Sequence, residues 1–216
     1  MLADLPIKYA LFDMDGTLTD TMPFWIGLPR RIFEGEGLTL SPEEEATLEP
    51  LGLHKGIEYL NSLHRTEKVF GREDVFSALR ASYSGDPVVK PMVRELLEEL
   101  RARGVRMGVA TLTPVPLAQI CLDRTGLASY FEFVMGGEDY PEGKNTPRIF
   151  LDAAERFGCA PCEMYLFEDS YYSVKTARTL EIPVVGVADG AKQKDREDML
   201  FASVAFFDDG FRVRVK

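Results

Sequence analysis

Short apolar runs recur along the chain and predict a sheet of buried strands. The runs occupy 7–12, 105–110, 133–135, 164–167 and 183–187, and a further run at 204–207 is predicted to be an edge strand. Between them, apolar residues return every three or four positions, which predicts helices at 90–103, 115–124, 146–157 and 170–180. Strands that alternate with helices across short connections predict a doubly wound parallel α/β sheet.

The stretch from 18 to 86 has a different pattern, because its apolar residues recur only at helical spacing. Ser41 followed by Pro42 and three glutamates predicts a helix start, since serine caps the first turn and acids favour that end. The stretch is far longer than the ~2–6 residues usual between a strand and a helix. We therefore predict a core domain of 1–17 and 87–216, and an inserted all-helical cap domain of 18–86.

Composition and charge narrow the possible functions. The 216 residues are 45% hydrophobic and 28% charged, which is ordinary for a globular protein. A formal net charge of −10 argues against nucleic acid or an anionic membrane as a partner, but permits a small phosphorylated ligand. No apolar run is long enough to cross a bilayer, and the first residues lack a secretory pattern, so we expect a cytoplasmic location.

The three cysteines are expected to be structural. Cys159 and Cys162 form a Cys-x-x-Cys pair, but no second pair is present to complete a zinc site. The pair also lies in a predicted loop, whereas redox pairs favour the start of a helix. Cys121 lies on an apolar helix face and is predicted to be in the core.

Polar side chains cluster where the predicted strands end. These residues are Asp13, Asp15, Thr111, Glu168 and Asp169, and Lys144 lies in a loop after another predicted strand. Because ligands bind outside the carboxyl ends of parallel strands, we expect all of them at one edge of the sheet. Two acids as close as Asp13 and Asp15 are costly unless a cation lies between them, so this edge favours a metal-assisted phosphoryl site.

Each of these residues also fits a plainer role when it is taken alone. Asp13 to Gly16 is compatible with a surface turn, and Thr111 with a helix cap. Lys144 is compatible with a solvated loop lysine, and Glu168-Asp169 with an acidic turn. Only their joint placement favours a catalytic site.

Four motifs in this order resemble those of the haloacid dehalogenase (HAD) superfamily phosphatases that carry a helical cap after the first strand. They are Asp-Met-Asp-Gly-Thr at 13–17, Val-Ala-Thr at 109–111, Gly-Lys at 143–144 and Phe-Glu-Asp-Ser at 167–170. The resemblance spans essentially the whole chain. Members of the superfamily with this type of cap include β-phosphoglucomutase and phosphoglycolate phosphatase. It implies a Rossmann-like core, a Mg²⁺ cofactor, a small phosphomonoester substrate, and a monomer or weak homo-oligomer.

The resemblance also implies a role for each matched residue. Asp13 is the expected nucleophile that forms an aspartyl-phosphate, and Asp15 the expected general acid and base. Thr111 and the backbone of Leu112 are expected to bind the phosphoryl oxygens, with Lys144 as a cation beside Mg²⁺. The implied Mg²⁺ ligands are Asp13, Asp15, Glu168 and Asp169.

The cap carries three further candidates for substrate binding. Gly52-Leu53-His54-Lys55-Gly56 is predicted to be a turn between helices, from which His54 and Lys55 contact the substrate. Trp25 is a candidate for the pocket mouth. A solvated turn and an aromatic in the cap core are the alternatives for these residues.

Several departures and rival functions stay open. Asn145 stands where family members often have proline, and Ser173 where they often have glycine. Phosphosugar mutases carry valine and a histidine where this chain has Thr17 and Trp25, which favours hydrolysis over mutation. A dehalogenase typically lacks the second Asp of the first motif, and a non-catalytic binding module would be free to lose acids that are all present here.

Overall fold

The computed structural model describes residues 2, 4–49, 51, 53–189, 195–208 and 213–215. The strands are β1 (Tyr9–Phe12), β2 (Arg106–Ala110), β3 (Val134–Met135), β4 (Met164–Glu168), β5 (Val184–Val187), β6 (Ala205–Phe207) and β7 (Val213–Val215). They form one sheet in the order β3-β2-β1-β4-β5-β6-β7, and every neighbouring pair is parallel except β6 with β7. The predicted doubly wound parallel α/β sheet is confirmed.

The prediction of an edge strand at 204–207 is wrong. Strand β6 pairs with β5 on one side and with the antiparallel β7 on the other, so it lies inside the sheet. The sequence analysis missed β7 because three residues, Val-Arg-Val, are too few to establish a strand period.

Besides four short 3₁₀ helices (Ala128–Tyr130, Gly137–Asp139, Gly143–Asn145 and Pro161–Glu163), α-helices account for the rest of the described regular structure. They are α1 (Met22–Trp25), α2 (Leu28–Gly35), α3 (Pro42–Leu48), α4 (Leu53–Ser62), α5 (Arg72–Ser84), α6 (Val93–Ala102), α7 (Val115–Thr125), α8 (Arg148–Phe157), α9 (Tyr171–Thr179) and α10 (Arg196–Ala202). Helix α6 begins later than predicted, because Met92 has a left-handed backbone with φ of 62°. None of the described helices is long and apolar enough to cross a membrane.

The central strands are buried on both faces. Leu11, Phe12, Leu166 and Phe167 are at most 1% exposed, and the rings of Phe12 and Phe167 stack with centroids 4.3 Å apart. Strands covered on both faces give continuous apolar runs, which is why they could be recognised from the sequence. Cys121 is buried in the core as predicted, and all three cysteines are free.

The chain divides into two compact units. One unit, the core, comprises 1–20 and 87–216, and the other, the cap, comprises 21–86. The described residues of the cap contain helices and no strand. Within the cap, Gly27 with φ of 69° separates α1 from α2.

The two segments that connect the core with the cap pair with each other. Thr19 and Val89 form an antiparallel bridge. The N–H of Asp20 donates to the carbonyl of Val88 at 2.8 Å, and the N–H of Lys90 donates to the carbonyl of Leu18 at 3.0 Å. The entry to the insertion and the exit from it are therefore adjacent within the core.

Helix α3 begins with the predicted serine cap. Ser41 Oγ accepts from the N–H of Glu44 at 3.3 Å, and Glu44 Oε2 accepts from the N–H of Ser41 at 2.8 Å. This reciprocal pair satisfies two donors that the first turn of a helix otherwise leaves unpaired.

We expect Ser41→Ala to lower the free energy of unfolding of the cap by about 1 kcal/mol, because one capping bond is lost. Urea titration followed by the fluorescence of Trp25 measures this, since Trp25 is the chain's one tryptophan and lies in the cap. Ser77→Ala is the matched control, because Ser77 is exposed within α5. Equal midpoints for the two variants would contradict the expectation.

Candidate active site

The first motif forms a tight loop directly after β1. The N–H of Asp13 still donates to the carbonyl of Phe167 at 2.9 Å, so Asp13 continues the sheet. The backbone then turns at Gly16, whose φ is 94°. A β-carbon at this position would lie 2.5 Å from Asp169 Oδ2, so glycine is required by both conformation and space.

A buried ammonium group joins two of the predicted acids. Lys144 Nζ forms an ion pair with Asp13 Oδ1 and another with Glu168 Oε2, the latter at 2.8 Å. The side chains of Lys144 and Glu168 are each 1% exposed, and that of Asp13 is 10% exposed. Residues far apart in the sequence therefore meet at the carboxyl ends of β1 and β4.

Three acids are close enough together to hold a cation. One carboxylate oxygen from each of Asp13, Glu168 and Asp169 lies within 4.8 Å of the others. Asp13 Oδ2 is buried and accepts no hydrogen bond from any described residue. Since Mg²⁺ prefers carboxylate oxygens, the donor set and the orphaned oxygen both fit this ion.

Glu168 is the most constrained of these acids. Its Oε1 accepts from the N–H groups of Asp169 and Ser170, each at 3.0 Å. Its Oε2 accepts from Lys144 and from Ser173 Oγ, the latter at 2.7 Å. Four protein donors therefore fix Glu168, which in turn orients Lys144 towards Asp13.

Asp15 is held by hydroxyl groups from the loop after β2. Thr113 Oγ1 donates to Asp15 Oδ2 at 2.6 Å, and Thr111 Oγ1 reaches the same oxygen at 3.4 Å. Thr111 Oγ1 also accepts from the N–H of Thr113 at 3.0 Å. The two threonines thus fix the direction of the Asp15 carboxylate.

Burial and charge set the protonation of the cluster. Burial raises the pKa of Asp13 to about 7, although Lys144 acts in the opposite direction. Burial opposes the charged form of Lys144, but Asp13 and Glu168 outweigh it and raise the pKa of Lys144. Burial also opposes ionised Glu168, but Lys144 and Ser173 more than compensate and lower its pKa. A further cation beside Asp13 would therefore favour its ionised form.

Comparison with known protein families assigns the chain to one of them. Residues 7–180 match the family model for the haloacid dehalogenase-like hydrolases. The chain belongs to this family. The predicted superfamily is therefore confirmed.

The relatives of this HAD-like hydrolase include phosphatases. It is 32% identical over 188 residues to the phosphorylated carbohydrates phosphatase of Thermotoga maritima, covering 82% of each chain. It is 27% identical over 221 residues to the phosphoglycolate phosphatase of Escherichia coli K12, covering 89% of this chain and 86% of that protein. These matches confirm the predicted enzyme class, a phosphoric monoester hydrolase.

Solved structures give the same fold. A putative β-phosphoglucomutase from Thermotoga maritima superposes with a TM-score of 0.77 at 26% identity, covering 94% of this chain and 95% of the other. A predicted phosphoglycolate phosphatase from Haemophilus somnus superposes with a TM-score of 0.67 at 23% identity, covering 85% and 86%. The second likeness concerns the fold alone.

The prediction that His54 and Lys55 lie in a turn between helices is wrong. Both residues lie in the first turn of α4, and Gly56 lies inside that helix. A β-carbon on Gly56 would be 2.8 Å from the Pro29 side chain, so this glycine permits close helix packing and does not form a turn. Gly52 lies outside the described residues.

The remaining substrate-binding candidates have defined places. His54 is 91% exposed in its side chain and contacts Glu58 at 3.2 Å, while Lys55 is exposed. Leu112 belongs to the core unit, and it is 41% exposed. Trp25 is half-buried, and its indole N–H donates to the Tyr83 hydroxyl at 3.0 Å. The described residues that line a cap cavity of about 550 Å³ are Trp25, Ile26, Gly27, Pro29, Arg30, Glu45, Leu48, Glu49, Leu51 and Leu53.

Sequence reasoning missed two hydroxyl groups of the hydrolase's site. Thr113 makes the shorter contact to Asp15, and Ser173 supports Glu168 from α9. The only sequence signal for Ser173 is that it replaces the glycine common in the family. Thr113 carries no signal beyond its place two residues after Thr111.

Proposed function

We propose that the chain is a Mg²⁺-dependent phosphatase that hydrolyses a small phosphomonoester, a sugar phosphate or a phosphoglycolate-like metabolite, through an aspartyl-phosphate on Asp13. The observation that carries the proposal is the orphaned, buried Asp13 Oδ2 beside the charged Lys144. Phosphatases of phosphorylated carbohydrates and of phosphoglycolate among the relatives support the substrate class.

The proposed reaction has two steps. Asp13 attacks phosphorus, the bond to the substrate alcohol breaks, and Asp15 gives its proton to the departing oxygen. Asp15 then takes a proton from a water molecule, which attacks the phosphorus and releases phosphate and Asp13. Thr111 and Thr113 hold Asp15 in position for both transfers, which the short Thr113 contact supports.

Cations are needed to hold the dianionic phosphoryl group against so many acids. Lys144 supplies one positive charge next to Asp13. Asp13 and Asp169 offer carboxylate oxygens for Mg²⁺, with the Asp15 carbonyl and Glu168 as the remaining proposed ligands. When bound, Mg²⁺ supplies a Lewis acid that neutralises charge on the phosphoryl oxygens.

Metal removal is the direct test of this proposal. We expect phosphate release from a panel of phosphorylated metabolites with Mg²⁺, its loss in EDTA, and its recovery when excess Mg²⁺ is added. Colorimetric phosphate measurement checks each stage. Phosphate release that survives EDTA contradicts the Mg²⁺ role, and no phosphate release from any phosphoester fits a dehalogenase or a binding module.

A phosphosugar mutase is the second candidate, because a putative β-phosphoglucomutase is among the structural neighbours. The same assay separates the two functions when isomerised sugar phosphate is measured beside free phosphate. We expect free phosphate to dominate, because the Trp25 indole N–H is engaged by Tyr83 and offers no acid–base group. Isomerisation as the main product would reverse the assignment.

Substrate recognition by the cap is also a proposal. A cavity of about 550 Å³ falls within the range of roughly 300–1,000 Å³ for small-molecule pockets, which supports Trp25 as a substrate contact. His54 and Lys55 stay candidates for contact with a second anionic group, and the Leu112 backbone for the phosphoryl oxygens. The cytoplasmic location and the monomeric or weakly oligomeric state also stay predictions.

A further inference from the structure

Two buried side-chain atoms lack a hydrogen-bond partner among the described residues, and one of them has no part in the proposed reaction. The first is Asp13 Oδ2, the proposed nucleophile and ligand. The second is Asp189 Oδ2, on a side chain only 7% exposed. Leaving a buried acceptor without a hydrogen-bond partner costs free energy of folding, so we expect a further donor beside Asp189 Oδ2.

Asp189 lies at the edge of the sheet that carries the candidate active site. It follows β5, the strand next to β4, and so lies at the same end of the sheet as Asp169. The point where a β-carbon of Gly16 would lie is 2.5 Å from Asp169 Oδ2 and 3.2 Å from Asp189 Oδ2. The two carboxylates therefore approach each other beside the α-carbon of Gly16.

A small cavity is lined by both of these acids, together with Val187, Ala188, Arg196, Met199 and Phe206. Its volume is about 10 Å³, close to the smallest space that holds one water molecule. Among the described residues, Asp169, Asp189 and Arg196 provide its polar lining. A water molecule there has acceptors in both carboxylates and a cationic group beside it, which meets the requirement of two to four polar partners.

A buried lysine lies near the other oxygen of Asp189. Lys90 Nζ lies 3.7 Å from Asp189 Oδ1 and donates to the carbonyl of Ala188 at 2.9 Å. The Lys90 side chain is 8% exposed, so its charge attracts the Asp189 carboxylate with little screening by solvent. Oδ1 is thereby directed at Lys90, and Oδ2 is left for the cavity.

We propose that Asp189 is a positioning residue for a hydrated divalent cation: through one water molecule it holds Asp169 in the orientation that binds the ion. The inference rests on the Mg²⁺ site of the proposed function. It adds a residue outside the three acids whose oxygens lie within 4.8 Å of one another. Groups that orient metal ligands in this way typically contribute 10–100-fold to metal affinity.

The test is the affinity of the full chain for Mg²⁺, measured by titration calorimetry without substrate. We expect the Kd of Asp189→Asn to rise about 10–100-fold. Asp123→Asn is the matched control, since Asp123 is exposed on α7 and its loss changes the net charge equally. Asp189→Ala, which removes both carboxylate oxygens, gives the same comparison should the asparagine variant not fold.

The outcomes separate this inference from the proposed function. Weaker binding by the Asp189 variants, with Asp123→Asn unchanged, supports the positioning role. A Kd within twofold of the unmodified protein overturns it and leaves Asp189 as a structural partner of Lys90. Absence of Mg²⁺ binding by the unmodified protein overturns the proposed cation site itself, and this inference with it.

Discussion

Asp13→Asn is expected to reduce phosphate release by at least about 10⁴-fold, because removing a nucleophile abolishes the covalent step. The amide has nearly the shape of the carboxylate but lacks its negative charge and its nucleophilic oxygen. A steady-state assay with Mg²⁺ and the best substrate from the phosphate-release panel measures the loss. Mass spectrometry of the quenched unmodified enzyme is expected to show one phosphoryl group, which the variant lacks.

Asp123→Asn again serves as the control for charge, and its turnover should match that of the unmodified protein. Far-UV circular dichroism verifies that both variants are folded. If Asp13→Asn retains turnover within tenfold of the unmodified enzyme, Asp13 is not the nucleophile, and the proposed mechanism is wrong.

Lys144→Met is expected to impair both catalysis and stability. Loss of one charge that stabilises the phosphoryl oxygens should lower kcat by about 10²–10³-fold. Removing one partner of a buried ion pair leaves Asp13 and Glu168 uncompensated, which should cost about 3–5 kcal/mol of unfolding free energy without metal. Urea titration in EDTA at pH 8 measures the second effect.

Lys144→Met is expected to strengthen Mg²⁺ binding, although it weakens catalysis and stability. Since Lys144 repels a nearby divalent cation, its replacement is expected to lower the Kd for Mg²⁺, whereas Asp189→Asn raises it. Lys8→Met is the control, because Lys8 is exposed at the start of the chain's first apolar run. Weaker Mg²⁺ binding by Lys144→Met would contradict this expectation.

The strands and the acidic edge could be predicted because each leaves a local trace in the sequence. Strands buried on both faces, such as the one containing Leu11 and Phe12, are apolar without interruption. Parallel topology then brings their carboxyl ends together, so Asp13, Lys144 and Glu168 could be grouped without any contact information. In the structure these three residues form one buried cluster of ion pairs.

Other features depend on packing that the sequence does not display. Whether Gly56 ends a helix or lets two helices approach depends on Pro29, 27 residues earlier. The hydroxyl of Thr113 reaches Asp15 only because of the loop geometry after β2. Asp189 resembles any polar residue after a strand until its neighbours Asp169 and Lys90 are placed in space.

The bridge between Thr19 and Val89 has a consequence for how such chains diversify. Because Asp20 and Val88 are joined by a hydrogen bond, the ends of the core that flank the cap are already close. Excising 21–86 requires only a short reverse turn to restore continuity, and a helical segment of another length can be grafted at the same point. Evolution can therefore exchange the inserted segment without rebuilding the catalytic strands.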